Sequence, residues 1–588
     1  MNIPIPSVPD VITVEVIGRR FTAASEEMFA TLVRSSFSPN IRERRDCSVG
    51  IFDVNGNLIA LSAIGPIHLS SLMGVVQNVR QRFALADLKT GDCLMTNDPY
   101  VGGGSHLPDI TIITPVIYEG EVVAFVANLA HHSDIGGRVP GSESADCTSI
   151  FQEGLRIPIV HLVAGGELQR DVFDFLMLNS RTPRERDGDI KAQIAANNVG
   201  VERVQAIFKK FGYPRVIPSL AALLDHADAR TKDALRRIPN GIYESEQLLD
   251  NDGLVNCEIP MKLALTVEDE RIIFDLTGTS EQVAGARNMP YTATLAGVYY
   301  AIKALLEPDL PVNSGAFRCV EVIAPEGCLF NPVSPAAVGD RAATGNILGD
   351  LIFAAMAKAD SSRVMAGCGP YHGVIMSGWD PRDEEYFVDY ETFAGASGAL
   401  DGLDGRDAVR VHVSGSANLP IESLEQEYPM AVLCYELVTD TGGAGQWRGG
   451  LSTRRDIAVF GNEVLASARG LRQHVPAFGL FGGQKGKTGK FALTTISQEE
   501  KALEGSFSEL PVESSSILTV VTPSGGGFGA PFKRDPNAVL SDVVDGKVSV
   551  DSAAKVYGVV VAGGNIDEAG TRNLRSATSA GIATGMRN

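Results

Sequence analysis

Few residues of the kinds that announce a fold by themselves occur in this chain. Its 588 residues include eight cysteines, nine histidines and two tryptophans. The cysteines (Cys47, Cys93, Cys147, Cys257, Cys319, Cys328, Cys368 and Cys434) make no C-x-x-C pair and no short repeating spacing. That excludes a zinc ribbon and a disulfide frame, and reads as reduced thiols of a cytoplasmic protein. Long apolar runs are missing as well. The longest, such as residues 122–130, is interrupted by Asn128 and falls far short of the ~20 residues that cross a bilayer, so a soluble chain is expected. The opening MNIPIPSVPDVITVEVIGRR has neither a basic start nor an unbroken apolar stretch, and is not read as a secretory signal. Positive charge is scarce: 51 Lys and Arg stand against 71 Asp and Glu, a formal −20. Such a surface repels phosphate backbones and no basic patch offsets it, so a nucleic-acid role is set aside.

What is present is globular material, 44% hydrophobic and 21% charged, enough for several cores. After Pro9-Asp10, apolar residues at Val14, Ile17, Phe21, Ala24, Met28 and Leu32 step by three and four, which predicts a helix ended by Ser38-Pro39-Asn40. Two hairpins follow: residues 47–54 with 58–63 around Asn55-Gly56, and 110–118 with 122–130 around Glu119-Gly120. Residues 190–236 read as helical up to Pro239-Asn240-Gly241, antiparallel strands resume over 243–276, and 291–306 reads as a buried helix. Short β segments between Gly-rich turns fill the chain from 430 onward. The expected class is α+β, multi-domain, with substantial antiparallel or mixed sheet and flanking helices. The expected division is 1–240 for the domain holding the site, 241–400 for a central α+β domain, and 401–588 for a β-rich domain. From about 567 the text is small and polar and reads as a frayed tail.

Four of the nine histidines (His68, His106, His131, His132) fall within the first 132 residues, near Asp46, Asp98, Asp109 and Asp134. Hairpin geometry draws some of them together. With the second turn at Glu119-Gly120, Asp109 faces Ala130 and His131 lies one residue beyond, at the same open end. His106 enters that end three residues earlier. The first hairpin sets residue 46 opposite residue 65, which brings Asp46 and His68 to a second open end. An extended strand sends His131 and His132 to opposite faces, so only one of them joins the cluster. The reading is a divalent metal held by Asp46, His106, Asp109 and His131, with His68, His132, Asp134, Asp98 and Glu43 as neighbours or substrate contacts. A mixed N/O set suits zinc, manganese or iron. The competing reading is that these side chains cap turns and hydrogen-bond within a core.

No nucleotide loop survives inspection. Residues 480–488 end in Gly-Lys-Thr, yet a Walker loop requires glycine where Phe481 stands. The glycines at 525–527 follow a strand without offering a helix start to receive a phosphate. Ser142 and Ser144 near the histidines lack a G-x-S-x-G elbow.

Several stretches together carry a resemblance: SPNIRERRDCS (38–48), GDCLMTNDPYVGGGSHLPDITIITPV (91–116), AHHSDIGGRVPGS (130–142), NSRTPRERDGDIKAQIAANNVG (179–200), DLTGTSEQVAGARNMP (275–290) and TPSGGGFGAPFKRDP (522–536). Over nearly the whole chain it resembles the hydantoinase B / oxoprolinase family. The resemblance implies the metal-binding subunit of an ATP-dependent cyclic amide hydrolase, acting on hydantoin, 5-oxoproline or a lactam. It implies a hydantoinase A-type partner that binds ATP and phosphorylates the substrate carbonyl, in an α2β2 hetero-oligomer. The family's metal ligands carry over onto Asp46, His106, Asp109 and His131, and Asp134 or His132 is then the candidate general base. The near rival is a subunit of an acetone- or acetophenone-type ketone carboxylase, which would use bicarbonate. A non-catalytic assembly subunit and a stand-alone metallohydrolase are more distant readings.

Overall fold

Asp10 opens the first helix by accepting a hydrogen bond from the Thr13 N–H at 3.0 Å, which satisfies a donor of the first turn that has no partner within the helix. The helix, α1 (Val11–Ser35), buries Ile17, Phe21, Ala24, Met28 and Leu32, the stripe its sequence predicts. That face packs on the long helix Pro183–Phe211 and on the first sheet. The computed structural model describes residues 9–63, 65–101 and 104–585, so Gly102 and Gly103 of the histidine-bearing loop lie outside the described residues, as do residues 1–8 of the opening. The helical text at 190–236 is two helices, Pro183–Phe211 and Tyr213–Leu235, broken at Gly212, where φ is +76° and glycine carries no Cβ penalty.

The first sheet has seven strands in the order β2-β1-β5-β4-β3-β6-β7. They are β1 (Cys47–Asp53), β2 (Leu58–Ala63), β3 (Cys93–Thr96), β4 (Asp109–Tyr118), β5 (Glu121–His131), β6 (Val160–Ala164) and β7 (Glu167–Leu168). Both expected hairpins are there, and each carries a bulge. In β1–β2 the irregularity lies beside the turn, between Ile51 and Phe52, and the far pairs Ser48↔Ala63 and Ile51↔Ala60 keep the expected alignment. In β4–β5 the pairs Tyr118↔Glu121 and Ile117↔Val122 fit the Glu119-Gly120 turn, after which Val116 pairs with Ala124. The extra residue, Val123, is buried in the apolar cluster beneath α1. Every later pair slides by one, so Asp109 faces His131 and not Ala130. The expected register is corrected by one residue, because a bulge sets two residues of one strand against one of the other.

Three more sheets of four or five strands cover the rest of the chain, with a two-stranded ribbon near the C-terminus. One pairs the strands His372–Trp379 and Tyr386–Phe393 with Asn462–Arg469 and Ser506–Val512, so the division expected near 400 passes through it. The largest apolar cluster likewise joins Phe52 and Phe125 to Phe274, Ile302 and Leu351, across residue 240. From 568 the tail read as frayed forms the helix Glu568–Gly585. Its first turns are tied down, because Arg575 donates to the carbonyls of Arg534 and Tyr557 at 2.8 and 3.1 Å. Between the layers lies the helix Arg341–Met356, buried at 15 of its 16 positions. It packs on the strands Gly241–Asn251 and Asn256–Glu268.

Two glycines let these layers close on the loop at residues 143–146. A Cβ on Gly253 would sit 1.9 Å from the Ala145 carbonyl oxygen, and one on Gly285 would sit 1.9 Å from that of Asp252. Gly285→Ala must therefore push backbone apart, at a cost of about 1–3 kcal/mol. The expected result is a lower urea midpoint with an unchanged slope. An unaltered midpoint would show that the loop yields freely.

Candidate metal centre

His106 and Asp109 stand where the loop after β3 enters β4, and His131 is the last residue of β5 opposite Asp109. His106 Nε2, Asp109 Oδ1 and His131 Nε2 are buried and have no hydrogen-bond partner. The three side chains offer ligand atoms that all lie within 4.8 Å of one another. Each is aimed by its other polar atom. His106 Nδ1 faces the Gly339 carbonyl at 3.1 Å and Glu143 Oε1 at 3.2 Å. Both are acceptors, so Nδ1 carries the proton and Nε2 turns its lone pair towards Asp109 Oδ1, 3.4 Å away. Asp109 Oδ2 accepts from Ser105 Oγ at 2.6 Å and Arg341 Nη2 at 3.1 Å, which leaves Oδ1 free. Asn40 donates to the His131 carbonyl at 2.7 Å and lies 3.0 Å from Nδ1, so Nε2 faces the group.

Lone pairs converging in a buried site repel and cost free energy unless a proton or a cation stands between them. The donor set of two imidazoles and a carboxylate fits a divalent zinc, manganese or iron ion. Protons compete for the same place. Burial and the Arg341 charge push His106 down, yet Asp109 and Glu143 outweigh them and hold it above its ordinary value. Burial pushes His131 down to about 4, helped by the neighbouring His106 and opposed by Asp46 and Glu143, so its imidazole stays neutral. Asp109 lies well below the carboxylate range: burial raises it, but His106 and Arg341 prevail.

The remaining expected residues divide. His68 Nε2 lies 3.8 Å from Asp46 Oδ1 and 3.8 Å from Asp109 Oδ1, with Nδ1 2.9 Å from Ser48 Oγ. Asp46 and His68 therefore form the edge of the group and line a small cavity. His132 points the other way, its Nε2 3.0 Å from Gln193 Oε1 on the helix Pro183–Phe211, as strand alternation requires. Asp134 accepts from the N–H groups of Gly136, Gly141 and Arg181 and from Arg181 Nη1. Its carboxylate is committed to the loop, so neither of the two candidate bases joins the group. Asp98 is paired with Arg156 at 2.6 Å, and Glu43 with Arg42 at 3.0 Å on the surface.

Sequence reasoning passed over Glu143, Arg341 and Arg469. Glu143 touches His106, lies 4.0 Å from His131 Nε2, and is paired with Arg469 at 2.8 Å. Burial would raise its carboxyl, but Arg469 and His106 hold it far below the usual range. A signal for Arg341 was available, since Arg341 and Asp350 are the only charges on an otherwise uncharged helix, and buried charges need partners. A second group, Asp350, Cys368 and His412, has similar spacing. Arg472 already neutralises Asp350, which also accepts from His412 Nε2 at 3.1 Å and the Cys368 N–H at 3.0 Å. Burial keeps the Cys368 thiol protonated, so that group is a poor fit for a cation.

Two expectations follow from this geometry. His106→Ala, Asp109→Asn and His131→Ala should each lower divalent metal content, measured by plasma mass spectrometry, at least ten-fold while circular dichroism stays native. His132→Ala should leave the metal content unchanged, and equal loss in all four variants would contradict the assignment. The second concerns Glu153, whose Oε1 accepts from the Val338 and Gly339 N–H groups at 2.9 and 2.6 Å and so fixes the carbonyl that faces His106. Burial pushes its carboxyl from an ordinary 4.5 up to about 8, against those two hydrogen bonds. Between these values the folded chain holds a proton that the unfolded chain has lost, so stability falls as the pH rises towards 8. Glu153→Gln, which mimics the protonated form, should flatten the fall in melting temperature between pH 6 and 8.5. A parallel fall in both proteins would contradict this.

The chain is 31% identical over 584 residues to the caprolactamase subunit beta of Pseudomonas jessenii, spanning 97% of this chain and 99% of that one. The crystal structure of the ATP-dependent caprolactamase from the same organism superposes with a TM-score of 0.87 at 29% identity, covering 97% of this chain and 100% of the other. A 5-oxoprolinase of Dictyostelium discoideum is 31% identical over 88% of this chain but only 40% of its own length. A nucleotide-free acetone carboxylase shares the fold, with a TM-score of 0.89 at 19% identity over 97% of this chain and 83% of the other. The model of the hydantoinase B/oxoprolinase family matches residues 10–531, and the chain belongs to that family.

Proposed function

We propose that the chain is the metal-binding subunit of an ATP-dependent cyclic amide hydrolase that opens a hydantoin, 5-oxoproline or lactam ring in the cytoplasm. The observation that carries this reading is the meeting of His106 Nε2, Asp109 Oδ1 and His131 Nε2, unpartnered and buried, in a member of this family. Support also comes from the caprolactamase, which matches along its full length. The partner in this reading is a hydantoinase A-type subunit in an α2β2 assembly. The partial match to the longer oxoprolinase is what a fusion of two such subunits would give.

An unstrained amide resists attack because resonance stabilises it. Phosphorylation of its oxygen by the partner removes that resonance and supplies a leaving group, so the remaining barrier is met in this chain. A divalent ion held by His106, Asp109 and His131, with Asp46 and His68 at its edge, supplies Lewis acidity and acidifies water. The chain's own residues do the positioning. Arg341 holds Asp109 by one oxygen, Glu143 and Gly339 keep the His106 proton on Nδ1, and Asn40 orients His131. These second contacts pre-set the donors, so little reorganisation is needed when substrate arrives.

The fold likeness to acetone carboxylase favours one further reading, an ATP-dependent ketone carboxylase subunit using bicarbonate. Purified complex assayed for ATP hydrolysis separates the two. The expected result is nucleotide turnover stimulated at least ten-fold by a lactam, hydantoin or 5-oxoproline and abolished by His106→Ala. Stimulation only by a ketone with bicarbonate would transfer the assignment to the carboxylase.

A further inference from the structure

Two arginines beside the candidate metal centre, Arg44 and Arg410, hold none of its three donor groups. The cavity beside the centre, about 40 Å³, is bounded among others by Asp46, His68, His131, Arg341, Tyr371 and Arg410. With roughly 10–15 Å³ needed per water on this measure, it holds about three water positions, the scale of one tetrahedral oxyanion. Arg410 is half-buried with its guanidinium 5.4 Å from the Tyr371 ring centre, and it donates to the Thr392 carbonyl at 2.7 Å and to Ser414 Oγ at 3.3 Å. Arg44, 1% exposed, reaches the strand that carries Thr392, bonded to the Tyr390 carbonyl and Thr392 Oγ1.

Their neighbours show what is unusual. Arg341 is paired with Asp109 and Glu143, and Arg469 with Glu143 and Asp340. Among the described residues neither Arg44 nor Arg410 has a carboxylate within 4.0 Å, and the Nε of each is buried with no hydrogen-bond partner. Asp46 is the acid whose charge reaches both. Burial, and then the adjacent Arg44, push Arg410 down to about 10. Two like charges with no acid in direct contact are costly to bury, and a bound anion offsets that cost.

We propose that Arg410, backed by Arg44, forms a subsite for a dianionic phosphoryl group beside the candidate metal centre. Two cations with no carboxylate in contact favour a multiply charged oxyanion over a single carboxylate or bicarbonate. The guanidinium fork suits two oxygens at once. The choice of a phosphoryl group as natural occupant rests on the ATP-dependent reading. Substrate activated by the partner would arrive with its phosphoryl group against Arg410, and His131 lines the same cavity.

Calorimetric titration of the full chain with inorganic phosphate tests the subsite without catalysis. The expected result is saturable binding that weakens at least ten-fold in Arg410→Gln, the loss of one charge-assisted contact. Binding should be partly kept in Arg410→Lys and unchanged in the surface variant Arg237→Gln. Metal content and melting temperature of Arg410→Gln report that the fold is intact. Absence of saturable binding to the wild type, or equal binding by Arg410→Gln, would overturn the proposal. So would binding that follows the metal and ignores Arg410. The two readings fail separately. Arg410-dependent phosphate binding without ATP-coupled turnover keeps the subsite and removes the natural occupant, whereas turnover with phosphate binding indifferent to Arg410 removes the subsite alone.

Discussion

Lone pairs pointed at one another inside a protein repel, and the centre of this molecule is built around such a meeting. His106 Nε2 and Asp109 Oδ1 are 3.4 Å apart and both are acceptors once the His106 proton is held on Nδ1. The arrangement is stable only with a proton or a cation between them. Most of what surrounds it serves to prevent the simple escape, which would be to turn a ring or swing a carboxylate. Gly339, Glu143, Asn40, Ser105 and Arg341 each hold the far side of one of the three groups.

The holding groups come from distant parts of the chain. Carboxylates of the N-terminal sheet and its loops are answered by arginines from the helix at 341 and the strand ending at 469. Asp340 is in turn paired with Arg287 and Arg469. In a low-dielectric interior, removal of one member leaves its partner charged and unpaired, a larger penalty than the pair's net worth. The first sheet and the later layers therefore depend on one another. The continuous apolar cluster from Phe52 to Leu351 expresses the same coupling. Arg44 and Arg410 depart from this pattern of matched charge, and the cavity beside them is where an added anion would restore it.

A single inserted residue matters as much as any charge. Without the bulge at Val123, the turn at Glu119-Gly120 would set Asp109 against Ala130, and His131 would extend one residue past it. The bulge moves His131 level with Asp109, on the face that also receives His106. Its neighbour His132 is directed into the polar layer under the helix Pro183–Phe211. Bulges commonly re-aim side chains in this way, and here the burial of Val123 against α1 is the packing that accompanies it.

Local rules read a good deal from the text alone. Three- and four-residue periodicity located α1 and its buried face, turn dipeptides located both hairpins, and strand alternation separated His131 from His132. All of these depend on forces acting within a few residues. The family was legible from motifs, which record local backbone demands as well as chemistry. The tertiary structure decided what depends on long-range packing: the one-residue slide in β4–β5, the break at Gly212, the helical state of the tail, and the sheet that joins strands from both sides of residue 400. It also decided that Glu143, Arg341 and Arg469 surround the candidate centre while Asp134, Asp98 and Glu43 are tied up elsewhere. A carboxylate's role depends on which donors reach it first, and those donors lie up to hundreds of residues away, brought near by burial of apolar surface and not by any pattern along the chain.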